Sequence, residues 1–294
     1  MRLILLLLTV LVLGCSGGPP VDKSGEAKVT IGAPKPPDQD LFPDLNDTTL
    51  LGRLFDQPLF DSVGMALWQP NYYERMSFRV SYDGLCHTSV DTIMYFTDRE
   101  KRQCACVILA THNVRKGNVL DSTIVEIGDC HFCGVTLGIV LLAQQPDKAW
   151  QLYRFEKAFT TLGYFGTYRT GRQDAGSIAL KQIGDPWTCL SLKQGVGGNG
   201  GESTGSERLY AIEQFVLSGF PANTLSSIFG YDFFHREPIY GDSTVLDTSV
   251  QRTEMHLVPK PGAYFDIELA IDSNGHRWKE RYVYSDELDY YEQR

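Results

Sequence analysis

Along most of the chain, apolar and polar residues alternate in short runs bounded by Gly, Asn, Asp, Pro and Ser. Successive side chains of a strand point to opposite faces, so this period near two predicts strands rather than helices. The segments 92–97, 104–111, 122–127, 135–143, 150–155, 177–182, 188–192 and 208–215 are rich in β-branched and aromatic residues and read as strands of antiparallel sheets. A helical period is confined to 48–55 and 223–229, both short. The expected fold is mainly β, with antiparallel sheets in a sandwich-like or irregular arrangement and few short helices.

The sharpest local signal lies near the C-terminus, where Asn274-Gly275 separates two alternating runs. That dipeptide suits a type I′ turn, whose two central residues both take positive φ. A two-residue loop there sets Ile271 opposite Trp278, Ile267 opposite Tyr282 and Phe265 opposite Tyr284 on one face, with Leu269 opposite Glu280 as a mismatch. On the other face Glu268 meets Arg281 and Asp272 meets Arg277. A slip of one residue would break both sets together. Asp272-Ser273-Asn274-Gly275 lacks the further carboxylates and downstream bidentate Glu of a calcium loop, so turn chemistry explains it better.

The pattern changes at the N-terminus, where Met1-Arg2 precedes an apolar run from Leu3 to Leu13 and then Gly14-Cys15. At ~1.5 Å per residue this run spans roughly 16 Å, well short of the ~30 Å hydrocarbon layer of a bilayer. A positive charge, a short apolar stretch and a small residue at the cut are the parts of a cleaved export signal. Val12-Leu13-Gly14-Cys15 resembles the lipobox of bacterial lipoproteins. The resemblance implies that Cys15 becomes the mature N-terminus and the site of lipid attachment, a diacylglyceryl group with a further acyl chain such as palmitate. Two or more chains anchor stably. Ser16, in place of the Asp that favours inner-membrane retention in enteric bacteria, implies the outer membrane, on its periplasmic or surface side.

Residues 15–46 are rich in Pro, Gly and charge and bury too little to offset their ordering entropy, so they read as a tether. As a flexible chain it would reach roughly 30 Å. The expected organisation is a signal peptide over 1–14, the tether over 15–46 and a β-rich globular region over 47–294, with two sub-lobes dividing near 145–160.

Composition adds a core and excludes one class of partner. Hydrophobic residues make up 43% and aromatics 12% of the chain, ample for a sizeable interior. The net charge of −9 comes without the basic stripe that nucleic-acid binding needs. Of seven cysteines, Cys15 is assigned to lipid, leaving Cys86, Cys104, Cys106, Cys130, Cys133 and Cys189, an even number in an exported setting, as a disulfide framework requires. Cys104 and Cys106 share one face of a strand at roughly 6.6 Å, the upper limit of disulfide geometry, so each is expected to pair elsewhere.

Asp129-Cys130-His131-Phe132-Cys133 is the most suggestive cluster. It admits a structural disulfide, a metal site with Cys104 and Cys106, or thiol chemistry in an exported enzyme. The strand-like residues that follow disfavour a thioredoxin-type motif, and Gly134 stands where haem attachment needs His. The disulfide reading leads, and no catalytic residue, metal or cofactor is assigned. The six histidines, His87, His112, His131, His235, His256 and His276, form no metal-binding motif. Two features suit ligand contact: the aromatics Tyr164, Phe165 and Tyr168 set among glycines, and the Gly-rich turn 195–201, with Gly197 and Asn199, offering backbone amides.

The run from Cys130-His131-Phe132-Cys133 through Trp150-Gln151-Leu152 and Leu162-Gly163 to the Gly-rich turn resembles exported bacterial proteins built on a Cys-His-x-Cys core, a group without an assigned activity. The resemblance covers about 104–215. It implies a β-rich envelope protein and transfers no reaction. The expected role is therefore non-enzymatic binding or assembly at the cell envelope, with envelope proteins, peptides or glycans as partners.

Overall fold

Central strands whose two faces are both apolar set the architecture. In a computed structural model, described for residues 40–61, 64–78, 84–114, 135–162, 177–185, 187–197, 203–212, 227–241, 244–261, 264–288 and 290–294, the chain is mainly β with two antiparallel sheets. The first holds β1 (Leu41–Phe42), β2 (Leu59–Phe60), β3 (Ala66–Trp68), β4 (Leu85–Thr97), β5 (Gln103–Val114), β6 (Val135–Gln144) and β7 (Trp150–Leu162), in the order β1-β7-β6-β5-β4-β3-β2. The second is a meander in chain order: β8 (Ser177–Gln182), β9 (Thr188–Gly197), β10 (Ser203–Ala211), β11 (Ser227–Gly241), β12 (Thr244–Val258), β13 (Asp266–Ser273), β14 (His276–Ser285) and β15 (Tyr290–Gln293). All these residues belong to one compact unit, Pro37–Arg294.

β5 divides its side chains with the period of a strand. Cys104, Cys106, Ile108 and Ala110 enter one core, and Ala105, Val107 and Leu109 enter another. The second of these cores is closed by α1 (Asp47–Leu54), which buries Leu50, Leu51 and Leu54, and by Phe78 at the end of α2 (Tyr72–Phe78). The first core is shared between sheets: Leu190 and Leu192 of β9 and Tyr210 of β10 pack against β5 and β6. The Arg99 guanidinium, 3.8 Å from the centre of the Trp187 ring, adds a contact between the turns of the two sheets.

The second sheet curls on itself. Cys189, Leu209 and Phe229 from β9–β11 join Ile267, Leu269, Ile271, Tyr284 and Tyr291 from β13–β15 in a third core. Phe265 donates its N–H to the Ile183 carbonyl at 2.6 Å, closing the roll beside the stacked rings of Trp187 and Tyr264.

Several local readings meet direct counterparts. The C-terminal hairpin pairs Ile267 with Tyr282, Glu268 with Arg281, Leu269 with Glu280, Ile271 with Trp278 and Asp272 with Arg277. Asn274 and Gly275 have φ of 52° and 86°, as a type I′ turn demands. The Glu280 mismatch is resolved locally, because its carboxylate accepts from Trp278 Nε1 at 3.1 Å and from Tyr282 Oη at 2.7 Å. The helix expected over 48–55 is α1, capped by Asn46, whose side chain accepts the Thr49 N–H.

The helix expected over 223–229 is a correction. Ser227, Ile228 and Phe229 open β11, and the remainder lies outside the described residues. A register shift between Leu209 and Tyr210 of the partner strand forms a bulge that sends the consecutive Ile228 and Phe229 into one core, so local alternation fails without a helix. The segment 122–127 and the end of 208–215 also lie outside the described residues.

The sequence reading missed α2, β12 and the short strands β1, β2, β3 and β15. Asn71 and Glu74 form a reciprocal capping box at the start of α2, with Asn71 N–H donating to Glu74 at 2.8 Å and Glu74 N–H to Asn71 at 2.9 Å. β12 alternates too: Arg252, Glu254 and His256 are exposed, whereas Thr253 is buried and Met255 and Leu257 pack on the third core.

Candidate functional site

Four described cysteines are spread through the interior. Cys104 and Cys106 lie in the core shared between the sheets, Cys86 in the core under α1, and Cys189 inside the curled sheet. No disulfide joins any two of them. Burial pushes the thiols of Cys86 and Cys189 up to about 12 and raises Cys106 further, so at neutral pH these three are protonated and poor nucleophiles or ligands. Cys15, Asp129, Cys130, His131, Cys133, Tyr164, Phe165, Tyr168 and Asn199 lie outside the described residues. Gly197 ends β9, paired with Ser203. Among the described residues, no group of three or more His, Cys, Asp or Glu side chains is placed to hold a metal ion.

Three polar arrangements stand out; sequence reading named two charge pairs of the third, Glu268 with Arg281 and Asp272 with Arg277, but marked none of the three as a site. The first is Glu207 of β10, fully buried. One carboxylate oxygen accepts from Lys181 Nζ and from Ser191 Oγ at 2.5 Å, the other from Tyr231 Oη at 2.7 Å, with Lys193 Nζ at 3.5 Å. Burial alone would raise its pKa, but the hydrogen bonds from Lys181, Ser191 and Tyr231 outweigh burial and hold the carboxyl below its ordinary value. Tyr231 is raised in turn by burial and by its bond to Glu207. With its donors all committed, this hub ties β8–β11 together.

The second is His87 of β4, only 1% exposed. Its Nε2 lies 2.9 Å from Asp61 Oδ2, while the buried Nδ1 has no hydrogen-bond partner among the described residues. Asp61 also accepts the Met65 N–H at 2.9 Å, so the contact clips the β2–β3 turn to β4. A carboxylate that orients an imidazole is one half of an acid–base device, but no described hydroxyl or thiol reaches Nδ1 to complete it.

The third is the outer face of β12–β14. Register places Arg252, Asp272 and Arg277 in one row across the strands, Glu254, Ala270 and Lys279 in the next, and His256, Glu268 and Arg281 in the third. A concavity of about 590 Å³ opens here, with Arg252, Glu254, Ala270, Asp272, Arg277 and Lys279 in its lining. Asp272 accepts from Arg277 Nε at 2.8 Å, Glu268 from Lys279 Nζ at 2.7 Å, and Asp266 from Arg281 Nη2 at 2.6 Å. These bonds hold all three carboxyls below their ordinary values, against the opposing effect of burial at Asp266. The signal that could have found this face was the hairpin register extended by one strand, to the alternation in β12.

This is a mainly β protein of two stacked antiparallel sheets, one of them curled, with its described concave site on the outer face of the curled sheet. The chain matches no family model, and neither a curated protein nor a solved structure matches it.

Proposed function

We propose that this chain is a lipid-anchored cell-envelope protein that acts by binding rather than by catalysis, with envelope proteins, peptides or glycans as partners. Address and activity rest on different parts of the chain. The address rests on Leu3–Leu13 and Gly14-Cys15, whose order and spacing suit signal cleavage and acylation at Cys15. Binding rests on one observation, the concavity of about 590 Å³ on β12–β14, within the size range of ligand sites and carried on regular strands. Its charged side chains stand on backbone already fixed by the sheet, so binding orders side-chain rotamers but little backbone.

Intact-mass measurement on protein from the native host tests the address. The expected species begins at Cys15 and carries acyl chains, and Cys15→Ser leaves the chain unacylated and released from the membrane fraction. Recovery of the full-length, unacylated chain in the cell interior would overturn this reading.

A further inference from the structure

The strands of the second sheet follow one another in chain order, so its two edges are β8 and β15, and these edges do not pair with each other. Among the described residues, closure of the roll falls on a short seam between the β8–β9 turn and the residues that lead into β13. Gly184 and Tyr264 form an antiparallel bridge, the Ile183 N–H donates to the Trp187 carbonyl at 2.8 Å, and the Ile183 carbonyl accepts the Phe265 N–H at 2.6 Å. β12 and β13, by comparison, pair through eight residues each. With so few bonds across it, the seam is where the roll separates at least cost.

A column of rings stands at this seam. Trp187 lies against Tyr264, with 4.5 Å between centres and 19° between planes, and Tyr264 continues onto Tyr284 at 3.8 Å inside the third core. Arg99, from the β4–β5 turn of the first sheet, sets its guanidinium 3.8 Å from the centre of the same Trp187 ring. The turn that carries Arg99 is fixed in place. Asp98, only 2% exposed, accepts the Arg102 N–H at 2.8 Å and Arg102 Nε at 2.7 Å, the Lys101 N–H donates to the Asp98 carbonyl at 3.0 Å, and Arg102 Nη1 donates to Tyr153 Oη at 2.9 Å. Holding the guanidinium on the ring therefore orders little beyond the Arg99 side chain itself.

We propose that Arg99 is a latch by which the first sheet holds the roll of the second sheet closed, and that the roll opens locally at this seam when the latch is released. Opening parts Tyr264 and Phe265 from Ile183 and Gly184 and leaves the strand ladders on either side paired. It also uncovers Cys189, a fully buried thiol that shares the third core with Ile183 and Tyr264. The planar guanidinium suits this task, because it stacks on an aromatic face and keeps its charge at every physiological pH. A cation over a partly exposed ring shifts an opening equilibrium by roughly two- to fivefold, enough to bias the seam without locking it. The device depends on neither the anchor nor the charged outer face.

The test reads opening in detergent-purified full-length protein by hydrogen exchange and by iodoacetamide labelling mapped to peptides. Arg99→Gln should speed exchange of the Phe265 N–H and alkylation of Cys189 by roughly two- to fivefold, at rates that change little with low urea, as an opening that exposes little surface requires. The Asn274 N–H, bonded to the Val250 carbonyl at the other end of β13, should exchange as before. Trp187→Leu removes the platform and should speed both processes further. Adding Arg99→Gln to Trp187→Leu should then change nothing, because the guanidinium has no ring left to hold. Unchanged rates at Phe265 or Cys189 in Arg99→Gln, a rise with the urea dependence of global unfolding, or additive effects of the two substitutions would each overturn the proposal.

Discussion

The middle of the first sheet and the last strands of the second use the same strand geometry for opposite ends. β5 and β6 are buried on both faces: Ala105, Val107, Leu109, Val140 and Leu142 face the helix-covered core, and Ile108, Leu137, Ile139 and Leu141 face the other sheet. β12–β14 are buried on one face only, and the other is an ordered array of charge. The first region leaves no surface for a partner, so its side chains contribute stability. The second region divides its side chains, because the inward ones hold the roll and the outward ones pair with one another at the surface.

The largest test of this contrast is truncation in each region. Leu141→Ala, at a fully buried position of β6, should cost about 4 kcal/mol by lost transfer energy and a residual cavity. At roughly 2–4 °C per kcal/mol for a domain of this size, the melting temperature should fall by about 8–16 °C. Calorimetry on Lys279→Ala should show a change within about 0.5 kcal/mol, since an exposed pair contributes little. Equal losses at the two positions would erase the contrast.

Glu207→Gln comes next. It leaves Lys181 and Lys193 beside an uncharged amide in the curled sheet, and urea unfolding should register a loss of about 3 kcal/mol. The sign with pH follows from the lowered carboxyl. Stabilisation by Glu207 is present above the ordinary value of 4.5 and is lost as pH falls through the folded-state value below it. The gap between the unaltered protein and Glu207→Gln should therefore narrow below about pH 4.5 and stay constant from pH 6 to 8. A gap that does not change with acidification would mean that the charge of Glu207 contributes nothing.

A smaller effect is expected at Gly205, where a Cβ would lie 2.4 Å from the Phe233 ring. Gly205→Ala should cost about 2 kcal/mol by overpacking. In a double-mutant cycle, Phe233→Ala should relieve part of that cost, whereas simple additivity would show that the two do not touch. A milder change than Gly205→Ala is Asn274→Ala. It puts alanine at a positive φ and removes the Asn274 Oδ1 that accepts the Val250 N–H at 2.9 Å, so thermal unfolding should show a loss of about 1 kcal/mol.

Legibility from the amino acids followed how local each signal was. The Asn274-Gly275 hairpin, its register and the helix after Asn46 rest on contacts between near neighbours, and all three are found. The capping box at Asn71 and Glu74 was as local and went unread because its helix is only seven residues long. Glu207 could not be found this way. Its donors Lys181, Ser191 and Tyr231 come from three other strands and stand 26, 16 and 24 positions away in the chain. Nothing in the residues around Glu207 marks it as different from any acid on a solvated strand. The same holds for His87, whose partner Asp61 is 26 positions distant.

The chain alone determined a mainly β body, the I′ hairpin and the alternation that turns charge outward, because period, turn chemistry and side-chain polarity act over a few residues. Only the tertiary structure decided that the second sheet curls, that the four described cysteines are divided among three cores, and that Ala270 stands between Glu254 and Lys279. Those outcomes depend on which strands become neighbours. Pairing among the fifteen described strands is chosen by burial summed over the whole molecule, and no short stretch of sequence contains that sum.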